Sequence, residues 1–244
     1  MHIWDTFSYR IAPRRMQCDT LFLKGNSHMS TKTKRLTESA MLLAIAILLE
    51  LLSKTFIPEM TFGGQLTIVS MLPIVLISYR HGVKWGFVAA FAYALIEMVI
   101  GAKTVSAAFL PGYFGDDTMI GSAIIMCLFD YILAYTALGL GGIFRNKIKN
   151  ASLSLMCGSL VALGARYLCH IVSGYVLFAG WAEWFFTQDG FPAWGAQLVA
   201  TLDSTTLGIL YSIVYNGMYM IPEMIFTAIA AVLIARPQIA QKIN

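Results

Sequence analysis

The chain has 244 residues, 58% of them hydrophobic and only 12% charged, with a mean hydropathy of +0.69. Soluble domains carry about 25% charged residues, so this composition excludes an ordinary soluble enzyme and indicates an integral membrane protein. The net charge of +4 follows membrane topology better than it fits a nucleic-acid partner, and the length allows about six helices of about 20 residues with no separate soluble catalytic domain.

Residues 1–35 are polar and basic, with Arg10, Arg14, Arg15, Lys24, Lys32, Lys34 and Arg35. No apolar run long enough for a signal peptide precedes residue 36. Met29-Ser30-Thr31-Lys32 reads as an ordinary start, so 1–28 is assigned no function and 1–35 is expected to be a flexible cytoplasmic segment. The six-span domain follows over 36–235, and 236–244 forms a cytoplasmic tail.

The first span covers 36–56. Its Ala40 and Ala44 are small residues four apart, which let another helix approach closely, either within this bundle or from a partner subunit. The second span, 66–79, is short and interrupted by Pro73; the basic turn 80–84 leads to the third, 85–101, with Glu97 near its end. A loop over 103–118 carries Pro111-Gly112 and Asp116-Asp117, and the fourth span, 119–144, contains Asp130-Tyr131. After the basic turn 145–149 comes the fifth, 152–178. Residues 179–210 are a long connection holding Trp181, Trp184 and Trp194; such aromatics favour the headgroup zone, so this segment reads as interfacial. The sixth span, 211–235, contains Asn216, Pro222 and Glu223.

Charge sets the orientation. Fourteen Lys and Arg residues lie in the N-terminal segment, the 80–84 and 145–149 turns and the tail, against Lys54 and Lys103 in the alternate connections. By the positive-inside rule both termini are cytoplasmic. The fold class is therefore an all-α integral membrane protein, a six-transmembrane-helix bundle. The four cysteines form no CxxC pair, and neither a disulfide framework nor a metal site is indicated.

Within the fifth span Arg166, His170, Gly174 and Phe178 recur every four residues and share one helix side. Charged groups at such depth cost at least ~2.5–3.5 kcal/mol each on insertion scales and are tolerated facing a bundle interior or a watered pocket. Asp130, His170 and Asn216 fall at a common level in the outer half of the bilayer, which an outward-open substrate pocket explains. Arg166 sits deeper and reads as a structural ion pair with Glu223 or Glu97, or else as a ligand contact. His170 has the alternative of a satisfied core histidine. An acid among aromatic rings suits a cationic, aromatic ligand. No GxxxxGK[ST] loop or HExxH pattern occurs, so no catalytic residue is assigned. An intramembrane enzyme using Asp130 and His170 and a solitary proton-coupled carrier using Glu97, Glu223 and Arg166 are the rival readings.

Several runs resemble the thiamine-specific substrate-binding subunit of energy-coupling factor transporters. They are Leu36-Thr37-Glu38-Ser39-Ala40 through Ala44, Pro73-Ile74-Val75-Leu76 before Arg80-His81-Gly82, Asp130-Tyr131 before Gly142-Ile143-Phe144-Arg145, Arg166 through Gly174, and Tyr211 through Gly217 with Pro222-Glu223. The resemblance implies thiamine capture near the outer face by Asp130, Tyr131, His170, Gly174, Tyr211 and Asn216. It implies an aromatic one turn beyond Gly174, where Phe178 stands and Trp181 is a rival. It implies docking of Ala40 and Ala44 on a transmembrane coupling subunit, with ATP used by two partner ATPases and no cofactor in this chain. The protein would then sit as a multi-pass protein in the cell membrane of a prokaryote. The chain departs from the family in carrying Asp130 where some members have Glu, Phe62-Gly63-Gly64-Gln65 where some have a tryptophan, and a longer 179–210 connection.

Overall fold

The computed structural model describes residues 30–61, 63–114 and 119–235. The 1–28 extension, the tail after Ala235, Phe62 and the Asp116-Asp117 pair lie outside them. Every regular element among the described residues is helical. Helix α1 (Thr31–Phe56) begins five residues before the expected start, because Ser30 Oγ caps it by accepting from the Thr33 amide at 3.2 Å. Next come α2 (Leu72–His81), α3 (Val83–Ile100) and α4 (Ala102–Ala107), the last lying inside the expected 103–118 loop. Gly82 alone separates α2 from α3, with a φ of 97° that a β-carbon would oppose.

The fourth span is continuous but changes pitch. It runs as α5 (Met119–Met126), a π-helical stretch (Cys127–Leu133), one α turn (α6, Ala134–Thr136) and a 3-10 stretch (Ala137–Gly142). Helix α7 (Ala151–Phe178) follows, capped by Asn150 Oδ1 on the Leu153 amide. A single 3-10 turn then leads to α8 (Ala182–Phe186), α9 (Trp194–Thr201) and α10 (Ser204–Ile234).

Two expected elements need correction. The second span is only partly helical: α2 forms its second half and irregular backbone its first. Among the described residues five helices are long and apolar enough to cross a membrane; α2 has 10 residues, about 15 Å, half of a ~30 Å hydrocarbon core. Pro73 opens this helix rather than interrupting it, as suits a residue with no N–H to leave unpaired. The preceding 63–71 stretch is irregular yet enters the bundle, where Thr67, Ser70 and Met71 are buried. Non-helical backbone at membrane depth survives only inside protein or along a cavity. Here the Ile68 amide donates to Ser53 Oγ at 2.9 Å, and the Leu72 amide to the Val69 carbonyl at 3.2 Å.

The second correction concerns the sixth span, which starts at Ser204 and not near 211. Asp203 caps it, accepting from the Thr206 amide at 3.0 Å and the Thr206 hydroxyl at 2.7 Å. Residues 204–210 therefore leave the interfacial connection. What remains, α8 and α9, is held by packed rings: Phe185 lies 5.2 Å from Tyr211 and 5.3 Å from Phe191, centroid to centroid. Pro222 sits inside α10 without ending it.

Candidate functional site

Helices α7 and α10 form the back wall of the site. They are stitched by Tyr167 donating to the Ile213 carbonyl (2.6 Å) and Ser212 donating to that of Ile171 (2.7 Å). At Gly174 the helices come so close that a β-carbon would stand 2.4 Å from Ser212 Oγ and 2.8 Å from Asn216 Nδ2. Only glycine permits this approach. Asn216 locks the same level: its amide nitrogen donates to the His170 carbonyl (3.1 Å) and the Ser212 carbonyl (2.9 Å), and its oxygen accepts from Tyr219 (2.7 Å).

In front of this wall lies a cavity, at the bundle end where α1, α3 and α7 finish and α10 begins. About 130 Å³ of it is open to the centres of water molecules, equivalent to about ten waters or roughly 300 Å³ of liquid. That is the lower end of the range for small-molecule sites. Asp130, Tyr131, His170, Gly174, Phe178, Tyr211 and Asn216 all line it, so seven expected residues from three helices converge. Asp130 and Tyr131 are neighbours in sequence, yet both reach the cavity because they sit on the π-helical stretch. The wider i→i+5 winding recurs at functional sites.

Asp130 is the anchor. One carboxylate oxygen lies 2.8 Å from His170 Nδ1 and the other accepts from Ser173 Oγ at 2.5 Å. A carboxylate offers about four acceptor positions, so capacity remains for a ligand, and the side chain is 23% exposed against 8% for His170. With Nδ1–H turned to Asp130, a neutral His170 presents Nε2 as an acceptor, and that atom has no hydrogen-bond partner among the described residues. The pair thus offers two acceptors to the donors of a ligand. Around them stand the rings of Tyr131, Phe178, Tyr211 and Tyr215. Tyr211 and Tyr215 pack at 5.5 Å, and the Tyr215 hydroxyl donates to the Gly63 carbonyl at 2.9 Å, tying the 59–67 loop to the cavity mouth.

At the cavity floor Arg166, which lines it, is 3% exposed, and Glu223 behind it is fully buried. Arg166 Nη1 donates to Glu223 Oε2 at 3.2 Å, and Thr67 donates to the other oxygen at 2.7 Å. The guanidinium also lies 4.5 Å above the Tyr135 ring and donates to its hydroxyl at 3.3 Å. Of the two acids expected for Arg166, Glu223 is the one it meets. Glu97 instead lies 3.8 Å from Lys54, which also reaches Glu50 at 3.5 Å. Lys54 is thus in the last turn of α1 and on the cavity wall rather than in an outer connection.

Trp181 does not line the cavity. Helix α7 ends at Phe178, so Trp181 follows the change of direction and packs edge-on to Trp184 at 6.1 Å. Ala40 and Ala44 are exposed on α1, in an apolar stripe with Leu36 and Leu48 at 62% and 59% exposure. Among the described residues no group of three or more His, Cys, Asp and Glu is placed to hold a metal, and Cys127, Cys157 and Cys169 are free thiols. Sequence reasoning passed over Ser173, Tyr215, Tyr219, Glu50 and Thr67. Two of them were signalled: Tyr211, Tyr215 and Tyr219 recur every four residues.

An aromatic-walled polar cavity at one end of an apolar helical bundle defines a multi-pass membrane protein that binds a small molecule between its helices. Residues 36–194 match the family described as thiamine transporter protein, and the chain belongs to that family. Thiamine transporter ThiT of Bacillus subtilis (strain 168) is 30% identical over 216 residues, spanning 85% of this chain and 93% of that one. The solved structure of ThiT from Listeria monocytogenes superposes with a TM-score of 0.56 over 86% of this chain and 99% of its own, at 21% identity. At that identity the likeness concerns the fold. The family is one of transporters, a non-enzymatic role, and its members are prokaryotic membrane proteins.

Proposed function

We propose that this chain captures thiamine in the cavity between the π-helical stretch, α7 and α10, and performs no chemistry on it. The observation that carries the reading is the Asp130 carboxylate, braced by His170 and Ser173 and surrounded by aromatic rings. A cationic heteroaromatic ligand with an exocyclic amine fits that surrounding: the amine donates to Asp130 and His170, and the cationic ring lies against the tyrosine and phenylalanine faces. Gly174 and Asn216 set the spacing of the wall, and Arg166 with Glu223 supports it from below. As a binding subunit of an energy-coupling factor importer, the chain would rely on a transmembrane coupling subunit and two ATPases, with the exposed Ala40–Ala44 stripe as the docking face.

Calorimetric titration of the purified protein tests the pocket. Thiamine is expected to bind, and riboflavin and pyridoxine are not. Asp130→Ala should weaken thiamine by at least about 30-fold, the ~2 kcal/mol lower bound for truncating one partner of a buried charged hydrogen bond. Phe178→Ala should also weaken it, whereas Trp181→Phe should leave it unchanged. Undiminished binding by Asp130→Ala would remove the assignment. The buried carboxylates Glu50, Glu97 and Glu223 also suit a solitary proton-coupled carrier. Thiamine uptake into vesicles by this chain alone, driven by a pH gradient, would favour that second reading.

A further inference from the structure

At the opposite end of the bundle the α2–α3 turn and the start of α1 enclose a second recess. It is lined by Arg35, His81, Lys84, Trp85 and Val88, with about 520 Å³ open to water centres. Its charge is one-sided. Glu38 is the acid here, and it is engaged by Arg80 at 3.2 Å and His81 at 3.3 Å. Arg35 lies 5.4 Å over the Trp85 ring. Arg145 reaches the turn, its Nη1 2.8 Å from where a β-carbon on Gly82 would stand. Among the described residues the ion pairs at this end use Glu38 only with Arg80 and His81, so Arg35, Lys84 and Arg145 bring an uncompensated positive charge to the rim.

The recess also opens toward lipid. Val88 on its wall is 61% exposed and Leu36 beside Arg35 is 62% exposed. Trp85 is fixed by donating to Ser39 Oγ at 2.8 Å, an aromatic at the depth where headgroups meet hydrocarbon. A second observation points to a ligand: the His81 side chain is fully buried on the recess wall, and its Nδ1 has no hydrogen-bond partner among the described residues. The residues preceding Ser30 carry four basic side chains against two acidic ones, so the chain's own N-terminus is a poor occupant by charge.

We propose that this recess binds an anionic phospholipid of the leaflet at the positively charged end. Arg35 and Lys84 hold the headgroup phosphate, a headgroup hydroxyl satisfies the His81 imidazole, and an acyl chain runs along Val88. Basic pockets between membrane helices recognise anionic lipids in this manner, at about 1 kcal/mol per Lys or Arg.

The test uses the full-length protein in neutral detergent, titrated with phosphatidylglycerol or with phosphatidylcholine of the same acyl chains, and read by native mass spectrometry. Two cations correspond to about a 30-fold preference for phosphatidylglycerol. The preference should fall to a few-fold at most, with Arg145 remaining at the rim, in Arg35→Gln/Lys84→Gln and persist in the charge-conserving Arg35→Lys/Lys84→Arg. The single Lys84→Gln, at an exposed position, guards against misfolding and should lose about fivefold. Thiamine affinity should be the same throughout. Equal binding of the two lipids, or an unchanged preference in the glutamine variants, overturns the proposal. So does inorganic phosphate displacing phosphatidylglycerol at matched concentration, which would make the recess a site for free anions.

Discussion

Replacing Glu223 with Gln removes one charge and almost no volume, and so isolates the buried ion pair. The carboxamide oxygen can still accept from Thr67, now 2.7 Å away. Arg166 keeps the Tyr135 hydroxyl at 3.3 Å and the ring at 4.5 Å but loses its counter-charge at 3.2 Å. Stranding one member of a buried pair costs about 3–5 kcal/mol. The lower value applies here, because the Tyr135 contacts survive. At about 2–4 °C per kcal/mol for a chain of this size, Glu223→Gln should melt roughly 6–12 °C below the parent. Removing both charges in Arg166→Met/Glu223→Met should restore stability to within about 2 kcal/mol, since an apolar pair of similar volume is close to neutral. Thermal unfolding in detergent, followed by tryptophan fluorescence for the parent, Arg166→Met, Glu223→Met and the double variant, reads the coupling directly. A Glu223→Gln melting point equal to the parent's, or a double variant as unstable as the sum of the singles, would refute the pairing as a structural element.

Gly174→Ala should push α7 from α10, because its β-carbon would lie 2.4 Å from Ser212 Oγ. A cost of about 1–3 kcal/mol, typical of overpacking, is expected in the same melting assay, and thiamine titration should show weaker binding with it. At the N-terminal end of α10, Asp203 is held below its ordinary carboxylate pKa by the Thr206 hydroxyl and amide. A depressed folded pKa contributes stability that is present above the unfolded value and is lost as pH falls through the folded one. Asp203→Asn keeps a capping oxygen without the charge, so it should match the parent in acid, lose this contribution at neutral pH and thereby flatten the acid limb of the stability profile; an unchanged acid limb would contradict this.

The five long helices were legible because hydropathy is a local property. The 63–71 stretch was not. Leu66, Ile68, Val69 and Met71 give it the composition of a span, but its conformation depends on Thr67 meeting Glu223 and Ser70 meeting Glu50 at 2.9 Å, partners 156 and 20 residues away. The start of α10 was legible in principle: Asp203-Ser204-Thr205-Thr206 is a helix-start signature, masked by the aromatic segment before it. In the site, four-residue spacing revealed the α7 face, depth in the bilayer pointed to Asn216, and the family resemblance pointed to Tyr211. Ser173 escaped because its role exists only through Asp130, 43 residues earlier. Trp181 stands apart from the α7 face because that helix ends at Phe178, which sequence spacing does not show.

Helix α2 has a consequence for how the protein is made. Ten residues following an irregular, partly polar segment are too short to be released into lipid as an independent span. Joined to α3 through Gly82 alone, α2 is suited to partition with it as a helical hairpin. Thr67 then waits for Glu223 and so does Arg166, and Glu223 lies on α10, the most C-terminal of the described helices. Until α10 arrives, the Thr67 hydroxyl and the Arg166 guanidinium lack the carboxylate they share in the finished bundle. A nascent chain stalled before α10 would thus hold Arg166 at membrane depth without the Glu223 carboxylate it meets in the finished bundle.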